Sequence, residues 1–231
     1  MKNKKIAFAL LAVILAFNSC IGLSMDIQMN RDGSGKITLE YRISRLLSAI
    51  GALDGNEAMP VIPVGRQDWE KTVRRIPGTR LVSHSTRETA RDTIISASVD
   101  FPNPEALTAL LSSSGANASI SRSAQSSTLN LILIRKPDEN QPDVNQPDAG
   151  IDSALLELTR SAFNAYDFSI SFSAAGNSTM TITDGEGNAI DTVPSGEHLL
   201  QGRTVSFSMG IMDIMDMTDG LGFNINFPGL P

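Results

Sequence analysis

Apolar and polar residues alternate with a period of two along much of this chain, and that constrains the fold more than any motif does. Ile37, Leu39, Tyr41 and Ile43 alternate with Thr38, Glu40 and Arg42. The pattern returns at Phe168, Ile170 and Phe172, at Met180 and Ile182, at Val205 and Phe207, and at Phe223, Ile225 and Phe227. Successive side chains of a strand point to opposite faces, so each segment reads as a strand with one buried face.

Turn residues place the partners. Met25–Asn30 and Lys36–Ile43 flank Arg31-Asp32-Gly33-Ser34-Gly35, which predicts a hairpin. Arg80–His84 with Thr93–Phe101, and Ala118–Arg122 with Thr128–Ile134, predict two more. Between them the spacing turns helical. Leu46, Leu47, Ile50 and Leu53 predict a short helix over Ser44–Leu53, and Asp68–Ile76 predicts a second, ended by Pro77-Gly78. Asn103-Pro104-Glu105 is a helix start with an N-cap, a proline at the first helical position and an acid in the first turn; Gly115 stops that helix. Arg135–Gly150, with Pro137, Pro142 and Pro147 among Asp and Asn, lacks apolar material to pack and reads as a loop or linker. Asp152–Tyr166 is amphipathic through Leu155, Leu156, Leu158 and Phe163. The expected fold is therefore α+β: an antiparallel sheet built from hairpins with helices on one face, followed by a β-rich C-terminal part. Its parts are 25–134, the linker 135–150, and 151–231, which at about 80 residues would be marginal alone and is expected to pack on the first part.

The N-terminus carries the clearest functional signal. Three lysines lie within Met1–Lys5, and Ile6–Phe17 is an unbroken apolar run of twelve. That is too short to cross a hydrocarbon core, which takes roughly 20 residues, and matches a signal peptide over 1–19. The run ends at Phe17-Asn18-Ser19-Cys20, where Cys20 is the single cysteine of the 231 residues. This resembles a bacterial lipobox of the looser spirochaete type, with Phe17 where Leu is usual and Asn18 where a small residue is usual. The resemblance implies cleavage before Cys20, acylation of its thiol, and a short tether over 20–24; the alternative is conventional cleavage nearby with Cys20 incidental. Loss of Lys2, Lys4 and Lys5 would take the net charge from −6 to −9. Such a chain has no general attraction for nucleic acid or anionic headgroups, so membrane attachment is expected through acyl chains, of which a single one holds only marginally. The three chains that bacterial lipoproteins usually carry would suffice.

Composition excludes much else. A mean hydropathy of −0.03 excludes a polytopic membrane protein. One cysteine excludes an internal disulfide, a Cys-rich zinc site and a Cys–Cys redox pair, and two histidines leave little for a His-based centre. Gly33-Ser34-Gly35-Lys36 is no phosphate loop, because Asn30 stands where the first glycine is needed and Ile37 where Ser or Thr is needed. Asn30, Asp32 and Ser34 alternate as in a calcium loop, but Tyr41 occupies the twelfth position, where a bidentate Glu is required. They read as polar turn residues, with weak calcium binding as the alternative. Asp184-Gly185-Glu186-Gly187-Asn188 reads the same way. No G-x-S-x-G elbow occurs, and His84 and His198, the only candidate bases for a triad, read as surface residues. Trp69 shares a helical face with Val73 and Ile76 and is expected in the core.

Met209–Met217 is the least ordinary segment. Asp213, Asp216 and Asp219 recur every third residue, and Met209, Ile211, Met212, Ile214, Met215 and Met217 surround them. On a helix this gives either a core face with a solvated acidic stripe or an adaptable apolar surface for a lipid or a partner.

The order of elements behind a cysteine of this kind, with the turn Asp32-Gly33-Ser34-Gly35 near the start, resembles the bacterial LppM-type lipoprotein domain. That resemblance implies an α+β fold without established enzymatic chemistry. The expected function is thus a non-enzymatic envelope lipoprotein with a structural or interaction role, anchored outside the cytoplasm and needing no cofactor. The alternatives are a module binding lipid or another apolar molecule, and a carboxylate-dependent hydrolase, since paired acids can be brought together by folding.

Overall fold

The computed structural model describes residues 21–45, 65–113, 115–123, 125–134, 166–190 and 196–229. The predicted helices over Ser44–Leu53 and Asp152–Tyr166 and the linker 135–150 lie outside these residues, apart from Ser44, Arg45 and Tyr166; Ser44 is the last residue of a strand.

The described chain is mostly strand. The three predicted hairpins are present: β1 (Ile21–Met29) with β2 (Gly35–Ser44), β3 (Arg80–Glu88) with β4 (Asp92–Phe101), and β5 (Asn117–Arg122) with β6 (Ser126–Ile134). They are followed by β7 (Asp167–Thr183), β8 (Glu197–Leu199), β9 (Gln201–Gly210) and β10 (Leu221–Pro228). All ten belong to one sheet, ordered β3-β4-β2-β1-β7-β10-β6-β5, with β9 also on β7 and β8 on β9. Two expectations are corrected here. The sheet is mixed rather than antiparallel, because β1 and β7 run parallel, Leu23 opposite Phe168 through Gln28 opposite Ser173. A tight turn forces antiparallel pairing on its own two strands, but β7 reaches β1 after more than a hundred residues, and that connection leaves its direction free. The alternating stretches at 168–172 and 180–182 are also one 17-residue strand, not two.

β7 is where the sheet curls. Its pairing with β9 slips between Ser173 and Ser178, so that extra residues of β7 stand against Gly202 and Thr204. A bulge of this kind bends a strand and sharpens its twist. Drawn straight, Phe168 and Ile182 would lie about 45 Å apart at the usual rise of a strand. Yet Phe223, which pairs with Ile182, has its ring 6.2 Å from that of Phe168. Phe172 and Phe227 lie 5.0 Å apart in the same way, and Phe207 of β9 lies 5.1 Å from Phe223. The sheet thus folds over at Ala174–Asn177 into two limbs that share an apolar interior. Gly176 sits at the fold, where a Cβ would come within 2.6 Å of Pro228.

Both limbs bury their alternate residues completely: Ile27, Ile37, Ile95, Phe172 and Phe207 on one, Leu129, Leu131, Phe223 and Ile225 on the other. Full burial of such a side chain contributes about 1.5–3 kcal/mol, and neither limb could bury its apolar face without the other. Two helices complete the interior. α1 (Arg66–Arg74) begins two residues before the expected Asp68, whose carboxylate instead accepts from the Gly65 amide at 3.4 Å. It packs on β3 and buries Trp69 and Val73, and it ends at Arg74, short of the expected Ile76, which is buried just beyond it in the same cluster; the Trp69 ring lies 6.4 Å from that of Tyr41. α2 (Pro104–Ser113) starts as its sequence dictates, with the Asn103 side-chain oxygen accepting from the Ala106 amide at 2.9 Å. It buries Leu107, Leu110 and Leu111 and touches both β4 and β5, which lie near opposite ends of the strand order.

Candidate functional site

The N-terminal end of β1 adjoins the candidate anchor, because Cys20 is bonded to its first residue. β1 starts at Ile21, so residues 21–24, expected to be a tether, are instead the opening of a strand. The strand lies inside the sheet, with β2 on one side and β7 on the other. Gly22 is small because the Tyr166 ring crosses it: a Cβ there would lie 3.3 Å from Tyr166 Cδ1. The Tyr166 hydroxyl goes on to donate to Asp92 at 2.5 Å. The entry of β1 is therefore covered by Tyr166, which ties it to β4 and β7.

Arginines gather at the same end. β2 leaves the sheet there at Arg42–Arg45, and β3 turns into β4 through Glu88–Asp92. Arg45 bridges the two, donating its amide to the Arg91 carbonyl at 2.9 Å and its guanidinium to the Thr89 carbonyl at 3.2 Å. Arg42, Arg45, Arg87 and Arg91 are all exposed.

The calcium-like residues form a closed turn. Asp32 accepts from the Ser34 amide at 3.0 Å and the Ser34 hydroxyl at 2.7 Å, and Asn30 donates its side-chain amide to the Ser34 hydroxyl at 3.0 Å. Those bonds hold the Asp32 carboxyl below its ordinary range, chiefly through the Ser34 hydroxyl. Gly33 takes a φ of 84°, which the turn needs. The second acidic turn is built alike, with Asp184 accepting from the amides of Glu186 and Asn188 and from the Asn188 side chain, and its carboxyl is likewise lowered, the Asn188 side chain leading. Each carboxylate is occupied in holding its own backbone. Among the described residues no three His, Cys, Asp or Glu side chains gather as a metal site.

Met209–Met217 is not one helix. Met209 closes β9 and is buried, and α3 spans only Ile211–Met215. Ile214 is buried, Ile211 and Met212 are half-buried, Met217 packs against the core, and Asp213, Asp216 and Asp219 are exposed. The side chain of Met215 is not among those described. The strand pairing takes Met209 because it stands opposite Phe168, in the apolar row of β7.

The histidines are apart. His84 lies midway along β3 opposite Ala97, on the inner side and half-buried, where a polar strand end was expected. His198 is exposed, as expected of a surface residue, on the three-residue strand β8. Tyr41 is buried, which pushes its hydroxyl up to about 12 and keeps it protonated. Sequence reasoning also missed three buried hydroxyls, Ser127, Ser178 and Thr183, and the buried Trp69 indole nitrogen, none of which makes a hydrogen bond among the described residues. Hydroxyls in a period-two pattern give no signal of which face they take.

No family model matches this chain, and no curated protein matches it. Among solved structures it is similar to the NMR structure of the folded domain of the Mycobacterium tuberculosis LppM protein, at 8% identity and a TM-score of 0.46, over 93% of this chain and 92% of that one.

Proposed function

We propose that this protein is a lipid-anchored envelope lipoprotein whose domain, held outside the cytoplasm, has a structural or interaction role rather than a catalytic one. The observation that carries the reading is the position of Cys20. It is the single cysteine, it stands three residues after the apolar run Ile6–Phe17, and it immediately precedes a strand flanked on both sides in the sheet. An acylated Cys20 would pass membrane tension directly into the middle of the sheet, which three or more hydrogen-bonded strands resist far better than a frayed terminus. No helix among the described residues is long and apolar enough to cross a membrane, so attachment in this reading rests on the acyl chains. The non-catalytic role is supported by where the candidate groups lie: Asp32 and Asp184 hold turns, and His84 and His198 stand on different strands.

Metabolic labelling with a fatty-acid probe tests the anchor. The wild-type chain takes up label and sediments with membranes, and Cys20→Ser loses both. Equal labelling of the two chains refutes it.

A further inference from the structure

Starting from the reading that Cys20 carries lipid, we infer that the anchored domain sits tilted, with the β2–β3–β4 corner resting on anionic headgroups and the α3 side raised from them. The strand registers show which parts of the molecule share the end where Cys20 attaches. Ile21 stands opposite Ile43, Ser44 opposite Asp92, and Glu88 opposite Thr93, so the exit of β2 and the β3–β4 turn lie beside the start of β1. On the other side, Leu23 stands opposite Phe168 and Asp167 opposite Gly210, and the Ile211 amide donates to the Tyr166 carbonyl at 3.0 Å. α3 therefore leaves from the same end, across β1 from the turn. The Gly185 amide donates to the Asp219 carbonyl at 2.7 Å, which joins the 184–188 turn to that side.

The two sides carry opposite charge. Beside β2 and the β3–β4 turn stand Arg42, Arg45, Arg87 and Arg91, against Glu88 and Asp92. Arg42 is bridged to Glu40 at 3.1 Å, whereas Arg45, Arg87 and Arg91 form no ion pair among the described residues, and Asp92 is engaged by the Tyr166 hydroxyl. Beyond β1 stand Asp184, Glu186, Asp213, Asp216 and Asp219, and Arg203 is the single Lys or Arg between 166 and 229. The sequence-wide negative charge hides this split. Cys20 directly precedes the first residue of β1, so in this reading the anchor joins the sheet at the strand itself. The end of the sheet then lies within a Debye length, about 8–10 Å, of the headgroups, where arginines are drawn down and acids pushed away. A protein partner of opposite charge would need its own complementary face; a membrane is already fixed beside this end by the anchor.

The test uses the full lipidated chain in vesicles of phosphatidylcholine with and without phosphatidylglycerol. Fluorescent labels are placed at exposed Ala90→Cys or Glu186→Cys, Cys20 being blocked by its own thioether, and are read with a headgroup-level quencher. In phosphatidylglycerol vesicles the label at 90 should be quenched severalfold more than that at 186. The difference should vanish in high salt and in the triple variant Arg45→Gln, Arg87→Gln, Arg91→Gln. Equal quenching at 90 and 186, or an asymmetry indifferent to lipid charge, overturns the tilt. Flotation of the same vesicles keeps the two readings apart. A chain that floats without asymmetry loses only the tilt; a chain that does not float loses the anchor, and the tilt with it.

Discussion

The two limbs of the sheet have the same inside and different outsides. Within, both are rows of Phe, Ile, Leu and Met that meet at Phe168, Phe207 and Phe223. Outside, the limb of β4, β2, β1, β7 and β9 mixes charge with small hydroxyls. Ser98, Thr38, Asp26, Ser171 and Ser206 form one row across it, and Ser96, Glu40, Ser24, Ser169 and Ser208 the next. The limb of β7, β10, β6 and β5 has no charge in its corresponding rows, which run Ser119, Asn130, Asn224, Thr181 and Ser121, Thr128, Asn226, Thr179. The core dictates only which residues alternate inward. The outer face is free to vary, and of these four rows only the two on the limb that holds β1 carry charge, Asp26 and Glu40.

If the interior is shared, damage to one limb must be felt in the other. Phe223→Ala on β10 removes a fully buried ring that touches Phe168 and Phe207, and should cost about 3–5 kcal/mol. Fluorescence of Trp69, far away on α1, should report the same lowered denaturation midpoint as circular dichroism. A Trp69 transition left at the wild-type midpoint would mean that the limbs unfold separately.

Smaller effects sharpen the picture at the two places where elements from different parts of the sheet are tied. Asn103→Ala strips the cap from α2, which touches both β4 and β5, and should cost about 1 kcal/mol in the same denaturation experiment. Tyr166→Phe removes the hydroxyl that reaches Asp92 while keeping the ring over Gly22, and should cost about 1 kcal/mol.

The smallest effect compares the limbs in acid. Asp32 and Asp184, one turn on each limb, both have carboxyls lowered in the fold from the ordinary 3.8. A depressed folded value means that the contribution is present above the unfolded value and is lost as pH falls below it and through the folded one. Asp32→Ala and Asp184→Ala should each flatten the loss of stability below about pH 4, by a small and similar amount since both groups are exposed. A flattening from one and not the other would show that the two turns, alike in hydrogen bonds, differ in how firmly they are held.

Much of this fold was legible in the residues. Ile37 to Ile43 and Phe223 to Phe227 announce their strands, and Asn103-Pro104 announces α2, because period and caps act over a few residues. What was hidden depends on partners distant in sequence. Nothing local in Phe168-Ser-Ile-Ser-Phe172 says that it will lie parallel to β1, and the serine- and glycine-containing stretch that bends β7 looks like a strand end. The helical spacing of methionines and aspartates over 209–217 overlaps a strand that ends at Gly210, so Met209 belongs to β9 and not to the helix. At the candidate site, the sequence marks Cys20 itself, while the arginines at the start of β1 come from two segments, 42–45 and 87–91, that meet only on folding.

The central claim is that Cys20 is the mature, acylated N-terminus, and mass spectrometry of the N-terminal peptide from detergent-extracted protein tests it most directly. An acylated anchor yields a peptide beginning at Cys20, with residues 1–19 absent and a thioether-linked diacylglycerol adding its mass. A peptide that begins elsewhere, or one in which Cys20 is a free thiol, contradicts it.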